Sequence, residues 1–399
     1  MRFDISGKKI LFGVSGGIAA YKALEIISLL KKSGAEVKVI MTKAACEFVS
    51  PLSFQTISQN MVARDMFEEP KAWEVRHISL ASWADVAVVA PATANICGKL
   101  ATGIADDMLS TTLMACKAPK IIAPAMNTAM YENPIVQKNI RILKDLGMEF
   151  VEPESGILAC GDVGKGRLAS VEDIYEKICQ VLLFSKKDFI GKKVVVTAGG
   201  TIEKIDPVRY ITNHSSGKMG VAIARAAYYR GADVTLVCGN CSAEIPKNID
   251  TIKVESARDM YDAVMTASED ADIIIKAAAV ADYRPETAAE NKIKKGKMES
   301  ISLASNPDIL AELGEKYSGK KKLVGFCMET ENLEKNAYQK LKKKGLDLIA
   351  ANSLNEDGAG FKGDTNIITL IDKSGECQKT DLKDKFEIAN IILDKVKEI

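Results

Sequence analysis

Histidine and tryptophan are scarce in this chain of 399 residues, with two of each. Two histidines, His77 and His214, exclude a multi-histidine metal centre built within one chain. No apolar run approaches the roughly 18 residues of a transmembrane helix. The 54 Lys and Arg balance 53 Asp and Glu, so net charge is only +1. This balance argues against nucleic acid or a membrane as the main partner.

Cysteine use and composition indicate an ordinary globular protein. The nine cysteines are irregularly spaced, and no secretory pattern precedes the first predicted strand, so we expect cytosolic thiols and a cytoplasmic protein. One close pair, Cys238 and Cys241, supports neither a zinc site nor, strongly, a redox site. At about 100–200 residues per domain, the length suggests two domains.

The two halves of the chain begin with the same pattern of strand, glycine turn, helix and strand. In the first half these segments fall at residues 7–14, 15–17, 18–32 and 36–41. In the second half they fall at residues 191–196, 197–200, 219–230 and 231–237. Each half therefore begins a doubly wound α/β sheet. We predict an α/β fold with two domains, residues 1–185 and 186–399, joined by a short polar link.

Further apolar segments predict the rest of each sheet. We expect strands at residues 85–90, 120–123, 272–277, 322–326, 346–350 and 366–371, and a closing helix of the first domain at 170–184. The second half also inserts residues 202–216 between its glycine turn and its helix. A loop of that length inside a compact unit is usually functional.

The first half carries a weak phosphate-binding signal. Ser15, Gly16 and Gly17 open a helix, where free N–H groups favour a phosphate, although a plain tight turn explains them nearly as well. The G-x-G-x-x-G pattern is absent and no acidic residue ends the second strand, which lowers the case for NAD. The segments 91–95 and 124–131 follow strands at the carboxyl edge of the sheet, where ligands bind. Their small, hydroxyl and amide side chains suit a flat polar ring.

Together these features resemble the homo-oligomeric FMN-containing cysteine decarboxylases. The resemblance rests on Ser15-Gly16-Gly17, His77, Pro91–Asn95, Pro124–Tyr131 and Cys160. It implies a flavodoxin-like flavoprotein domain with FMN at subunit interfaces of a homo-oligomer. The residues implied to bind FMN are Ser15, Gly16, Gly17, Thr42, Pro91, Ala92, Thr93, Ala94 and Asn95.

The same resemblance implies how the reaction proceeds. FMN oxidises the cysteine moiety of the substrate, so that CO2 can leave, and the product is then reduced again. His77 is implied as general base, Asn127 as the ligand of the departing carboxylate, and Cys160 as the proton donor. Each residue alone also has a structural explanation: a satisfied histidine, a helix cap and an inert buried thiol.

The second half resembles the phosphopantothenate–cysteine ligases. The whole chain thus resembles the bacterial bifunctional family of coenzyme A biosynthesis, which implies a Rossmann-like ligase domain. That domain would activate 4'-phosphopantothenate with CTP as an acyl-cytidylate, which L-cysteine then attacks. Asn213 and Lys292 are implied as catalytic, and Mg2+ is expected to accompany CTP through ligands that remain unknown. The residues implied to bind CTP are Asp282, Lys292, Asn306, Pro307, Asp308, Ile309, Phe326, Lys340 and Lys344.

Several alternatives stay open at this point. Lys294 or Lys295 could take the place of Lys292, and base contacts do not distinguish CTP from ATP. Lys340 and Lys344, taken alone, also suit a solvated helix face. Rival functions are another flavin-dependent cysteine decarboxylase, a flavin prenyltransferase, or a non-catalytic regulatory flavoprotein. The ligase half argues against the two enzymes, and the presence of both His77 and Cys160 argues against the regulatory protein.

Overall fold

The computed structural model describes residues 3–67, 75–157, 161–184, 187–294, 300–329, 331–353 and 363–399. The chain divides into two compact units, Met1–Ser185 and Lys186–Ile399. In the described residues, no helix is both long and apolar enough to cross a membrane.

The N-terminal unit is built on a five-stranded parallel sheet. Its strands are β1 (Lys9–Val14), β2 (Glu36–Met41), β3 (Val86–Ala92), β4 (Lys120–Pro124) and β5 (Glu149–Phe150), and a separate hairpin holds β6 (Glu154–Ile157) and β7 (Val163–Arg167). The sheet order β2-β1-β3-β4-β5 is the 2-1-3-4-5 order of flavodoxin-like folds, as predicted. Every residue of β3 is buried, which fits a central parallel strand covered on both faces.

Helices cover this sheet. They are α1 (Lys22–Lys32), α2 (Lys43–Cys46), α3 (Pro51–Ser58), α4 (Arg76–Trp83), α5 (Ala94–Thr102), α6 (Met108–Ala115), α7 (Thr128–Glu132), α8 (Pro134–Asp145) and α9 (Val171–Leu183). The helix predicted from residue 18 begins as a 3-10 helix, Ile18–Tyr21, before α1. The apolar side of α1 is buried through Ala23, Ile26, Ile27 and Leu30.

In its described residues, the C-terminal unit contains an eight-stranded sheet and three small two-stranded ones. Its strands are β8 (Lys193–Ala198), β9 (Ile202–Lys204), β10 (Tyr210–Thr212), β11 (Asp233–Cys238), β12 (Asp250–Lys253), β13 (Ile273–Lys276), β14 (Tyr283–Pro285), β15 (Leu303–Ser305), β16 (Lys322–Glu329), β17 (Leu348–Ser353), β18 (Thr365–Asn366), β19 (Thr369–Asp372), β20 (Cys377–Lys379) and β21 (Lys383–Asp384). Its helices are α10 (Lys218–Tyr229), α11 (Ala257–Ala267), α12 (Ile309–Tyr317), α13 (Leu333–Lys343) and α14 (Lys385–Glu398).

The large sheet has the order β12-β11-β8-β13-β16-β17-β19-β20. Its first six strands are parallel and follow the 3-2-1-4-5-6 order of the Rossmann fold. β19 and β20 are antiparallel additions at one edge. Within the inserted residues 202–216, β9 and β10 form a hairpin.

The single strand predicted at residues 366–371 is wrong. The chain there forms two strands in different sheets, because β18 pairs with β21 whereas β19 pairs with β17. The side-chain oxygen of Asn366 accepts the N–H of Ile367, and Thr380 Oγ1 accepts that of Ile368. Side chains therefore bind the N–H groups that a continuous ladder would have used.

Candidate functional sites

A cavity of about 900 Å³ lies at the carboxyl edge of the N-terminal sheet. It collects most of the residues expected there, namely Ser15, Gly16, Gly17, Thr42, Thr93, Ala94, Asn95 and Asn127. Pro91 and Ala92 are not among the lining residues, because both belong to the buried strand β3. Separate sequence segments therefore meet at one site, and two of them are the glycine turn at residues 15–17 and the segment 91–95.

Hydrogen bonds hold these two segments together. Ser15 Oγ donates to the carbonyl of Pro91 over 2.7 Å and accepts the N–H of Thr93 at 3.0 Å. Gly16 is required by close packing, since a Cβ at this position would lie 2.4 Å from Cβ of Ala44. The seryl side chain thus fixes the spacing between the glycine turn and the start of α5.

Two helix N-termini open into this cavity without a side-chain cap. Gly17 precedes the 3-10 helix and Thr93 precedes α5, and neither supplies a capping hydrogen bond. Their free N–H groups and positive helix ends favour an anion. The basic residues Lys22, Lys43 and Arg167 also line the cavity.

The rest of the wall is largely apolar. Ile18, Met126, Met130, Ile157 and Leu168 line it, so a flat aromatic ring can be buried against them. The arrangement therefore suits a ligand with a ring at one end and a phosphate at the other, which are the two parts of FMN.

Asn127 uses both ends of its amide. Its Oδ1 accepts the N–H of Ala129 at 2.8 Å and caps α7. Its Nδ2 donates to Oδ2 of Asp162, also at 2.8 Å. Asn127 therefore caps a helix, which is the structural role that the sequence also allowed. It is at the same time a fixed polar group at the cavity wall.

The other two implied catalytic groups, His77 and Cys160, are not among the described residues that line this cavity. His77 lies in the first turn of α4 and is partly exposed, and it is not among the residues lining the cavity. Cys160 falls outside the described residues. The roles of both remain predictions.

A second cavity, of about 810 Å³, lies at the carboxyl edge of the C-terminal sheet. It is lined by nearly all residues expected to bind nucleotide, namely Asn213, Asp282, Asn306, Pro307, Asp308, Ile309, Phe326, Lys340 and Lys344. Four of them follow one another at the start of α12, and the two lysines end α13 or follow it. The half-buried ring of Phe326 offers a stacking surface.

Two amide side chains shape the wall of this second cavity. Asn213 Nδ2 donates to the carbonyl of Val280 at 3.0 Å, and Asn306 Nδ2 donates to that of Ala281 at 2.9 Å. They hold the small-residue segment 277–282, which lines the cavity with backbone and methyl groups. Such a surface lets a flat ring lie close to the main chain.

Asp308 connects two helices at the cavity. It caps α12 by accepting the N–H of Ala311 at 3.1 Å, and its carboxylate pairs with Lys344 Nζ at 2.8 Å. Burial raises the pKa of Asp308, but the bonds from Lys344 and Ala311 outweigh it, so this pKa is lowered overall.

Lys292 lies outside the lining of this cavity. It is exposed, and the next residue, Ile293, is tied to the inserted hairpin: its N–H contacts Asp206, and its carbonyl accepts from Arg209 at 2.8 Å. Lys294 is likewise exposed, and Lys295 falls outside the described residues. The assignment of the key lysine therefore stays open.

Sequence reasoning missed several residues of this cavity, and two of them stand at the ends of parallel strands. Lys276, the last residue of β13, lines it, and so does Asn352 in β17. The side-chain oxygen of Asn352 is buried without a hydrogen-bond partner, which leaves an acceptor for a ligand. Their positions at the carboxyl ends of parallel strands were the available signal.

No cluster of three or more His, Cys, Asp or Glu suited to a metal occurs in the described segments. The second cavity offers the carboxylates of Asp282 and Asp308, of which Asp308 is paired with Lys344.

The fold and the two cavities define a two-domain α/β protein that has a flavin-type site and a nucleotide-type site. Known protein families match both units of the chain. The flavoprotein family profile matches residues 2–183, and the profile of the DNA/pantothenate metabolism flavoprotein C-terminal domain matches residues 189–399.

Full-length relatives identify the family. The coenzyme A biosynthesis bifunctional protein CoaBC of Bacillus subtilis (strain 168) is 48% identical over 403 residues, covering 98% of this chain and 97% of that protein. CoaBC of Haemophilus influenzae (strain ATCC 51907 / DSM 11121 / KW20 / Rd) is 45% identical, with 98% of each chain covered. The solved C-terminal domain of a CoaBC is 41% identical over 53% of this chain and 97% of that domain, with a TM-score of 0.46. The chain belongs to the family of bifunctional coenzyme A biosynthesis proteins.

Proposed function

We propose that this chain catalyses two consecutive steps of coenzyme A biosynthesis. It joins L-cysteine to 4'-phosphopantothenate with CTP, through an acyl-cytidylate, and then decarboxylates 4'-phosphopantothenoylcysteine to 4'-phosphopantetheine. The observation that carries this proposal is the presence of two differently lined cavities, one in each unit of a chain that matches its relatives over nearly its whole length.

In the ligase step, the C-terminal cavity binds CTP and orients the carboxylate that attacks it. Lys340 and Lys344 attract the triphosphate, and Phe326 stacks against the base. Asn213 donates to the developing acyl-cytidylate from the wall of the cavity. We assign Lys292, from its exposed segment, to neutralising charge on the phosphates once nucleotide is bound. Mg2+ would accompany the triphosphate in this cavity.

In the decarboxylase step, the N-terminal cavity binds FMN. The uncapped helix ends at Gly17 and Thr93 suit its phosphate, and the apolar wall suits its ring. FMN supplies the reversible oxidation of the cysteine moiety that makes its carboxylate a leaving group. Asn127 binds that carboxylate through its amide, His77 removes a proton, and Cys160 returns one.

A homo-oligomer explains why His77 lies apart from the cavity of its own chain. Val75 and Ile78, which flank His77 in sequence, are 58% and 47% exposed, and Ile18 at the cavity is 61% exposed. Exposed apolar side chains at both places fit an interface between copies. We place FMN at that interface, with His77 supplied by another copy.

We also place both reactions in the cytoplasm. The cysteines of the described segments are free thiols, which fits a reducing compartment.

A pair of variants separates the two activities. With 4'-phosphopantothenate, cysteine and CTP, Asn213→Ala is expected to lose CMP release, yet to decarboxylate 4'-phosphopantothenoylcysteine supplied directly. His77→Asn is expected to do the reverse. The wild-type protein should be yellow when purified. If CO2 forms but CMP never does, a flavin-dependent decarboxylase alone is the better description; colourless protein without either activity favours a regulatory role.

A further inference from the structure

Five described lysines line the C-terminal cavity, namely Lys218, Lys276, Lys340, Lys344 and Lys385. Lys340 lies in the last turn of α13 and Lys344 follows that helix, whereas Lys276 ends strand β13. In the sheet, β13 lies between β8, which leads toward α10, and β16, which leads toward α13. Lys276 therefore stands at the centre of the carboxyl edge, between the start of α10 and the two lysines.

Charge in this cavity is only partly balanced. Lys276 interacts electrostatically with Lys344 and Lys340, which repel its charge, and with Asp308 and Asp282, which attract it. The Asp308 carboxylate is already bound by Lys344, at 2.8 Å. In the described part of the chain, the ammonium groups of Lys276 and Lys340 have neither an ion pair nor a hydrogen bond.

The unbalanced positive charge affects the pKa of Lys276, because the ammonium group of this residue is desolvated. Desolvation, followed by repulsion from Lys344, lowers its pKa to about 8, although its side chain keeps some exposure. A desolvated charge is stabilised when an anion arrives beside it. The start of α10 adds to this attraction, because its N-cap residue Gly217 lines the cavity and supplies no side-chain cap.

We propose that Lys276 binds the phosphate groups of the nucleotide and takes up a proton as the nucleotide enters. The proposal rests on the ligase function and adds a phosphate ligand and a proton linkage to it. Above about pH 8 the empty cavity holds a largely neutral Lys276. The triphosphate restores its charge, so nucleotide binding and proton uptake are coupled.

An arginine at this position keeps the positive charge but does not titrate in the pH range of the experiment. Lys276→Arg keeps a positive group that stays protonated throughout, so it can bind phosphate without taking up a proton. Lys276→Met keeps much of the side-chain length but carries no charge. Lys343→Met serves as the control, because Lys343 is an exposed lysine of α13 that does not line the cavity.

The test is calorimetric titration of the full chain with CTP and Mg2+, at pH 7.0 and 8.5, in buffers that differ in ionisation enthalpy. At pH 8.5 the wild type should take up clearly more protons than Lys276→Arg, and at pH 7.0 this difference should be much smaller, because the pKa of Lys276 lies between these two pH values. The subtraction cancels protons exchanged by the nucleotide and by the other groups of the cavity. Lys276→Met should bind CTP roughly tenfold more weakly or worse, and Lys343→Met should match the wild type.

Equal proton uptake by the wild type and Lys276→Arg, with binding intact, would overturn this inference and leave the ligase function standing. Unchanged CTP affinity in Lys276→Met would overturn it as well. A wild-type chain that binds no CTP would overturn the proposed ligase function together with the inference.

Discussion

Asp308 and Lys344 join the start of one helix to the end of another, with Lys344 Nζ 2.8 Å from the Asp308 carboxylate that also caps α12. From the sequence, we expected both residues at a nucleotide site. They are in contact in the fold, although they are 36 residues apart in the chain.

The cap and the ion pair of Asp308 can be separated by mutation. Asp308→Asn keeps a good N-cap but removes the charge, whereas Asp308→Ala removes both. We expect the alanine variant to lose about 1 kcal/mol of unfolding free energy relative to the asparagine variant. Urea denaturation at pH 7, followed by a probe in the C-terminal unit, measures the difference. Equal stability of the two variants would show that the cap contributes nothing.

Mixing two inactive variants tests the site between copies. His77→Asn and Asn127→Ala should each lack decarboxylation as homo-oligomers. Co-expressed with different tags and purified through both, they should regain part of it, because one interface then combines His77 from one copy with Asn127 from another. The measurement is CO2 released from 4'-phosphopantothenoylcysteine. Inactive mixed oligomers would place both residues in the same copy.

The thiol of Cys241 should be unusually reactive. A hydrogen bond from Cys238 outweighs partial burial and lowers the pKa of Cys241 to about 7. Burial and the nearby Glu334 raise the pKa of Cys377, although that thiol is exposed. Iodoacetamide at pH 7.5, followed by peptide mass spectrometry, should therefore label Cys241 faster than Cys377.

The matched variant is Cys238→Ala. Without the donor thiol, the pKa of Cys241 should move back toward its ordinary value of 9.0, and the labelling rate at pH 7.5 should fall. A rate that does not change in this variant would contradict the assigned cause.

Glu152 should contribute stability only above acidic pH. Burial opposes the charge of Glu152, but bonds from Lys144, Lys165 and Tyr131 lower its pKa from 4.5 to about 2. A depressed carboxyl pKa stabilises the fold above the unfolded value, and that contribution disappears as pH falls from about 4.5 to about 2. Glu152→Gln should thus be less stable at pH 7, by roughly 1 kcal/mol or less because these side chains are about half exposed.

The measurement is urea denaturation of both proteins at several pH values. The stability difference between the wild type and Glu152→Gln should shrink below pH 4.5. A difference independent of pH would mean that packing, rather than charge, explains the effect.

Local patterns predicted most of the fold. Strand β2 has the predicted bounds, Glu36–Met41, because an apolar run following a helix and a glycine leaves little choice. The two strands β18 and β19 were predicted as one. The break between them depends in part on the side chain of Thr380, which is 12 residues from Ile368 in the chain. Pairing of that kind has no local signal.

The residues that line the two cavities could be predicted less completely than the fold. Thr93, directly after β3, and Asp282, in the segment after β13, line the cavities where we expected them, because parallel strands end at one edge. Lys276 was missed because periodicity does not show toward which side a strand-end lysine turns. The sequence pattern also did not show that His77 lies outside the lining of the cavity in its own chain.

The most direct measurement is the stoichiometry of the coupled reaction. Purified chain, with FMN bound, is given 4'-phosphopantothenate, L-cysteine, CTP and Mg2+, and CMP, pyrophosphate and CO2 are followed together. The account predicts equal amounts of all three, and none when CTP is omitted. CO2 release without CTP, or CTP consumption that never leads to CO2, would contradict it.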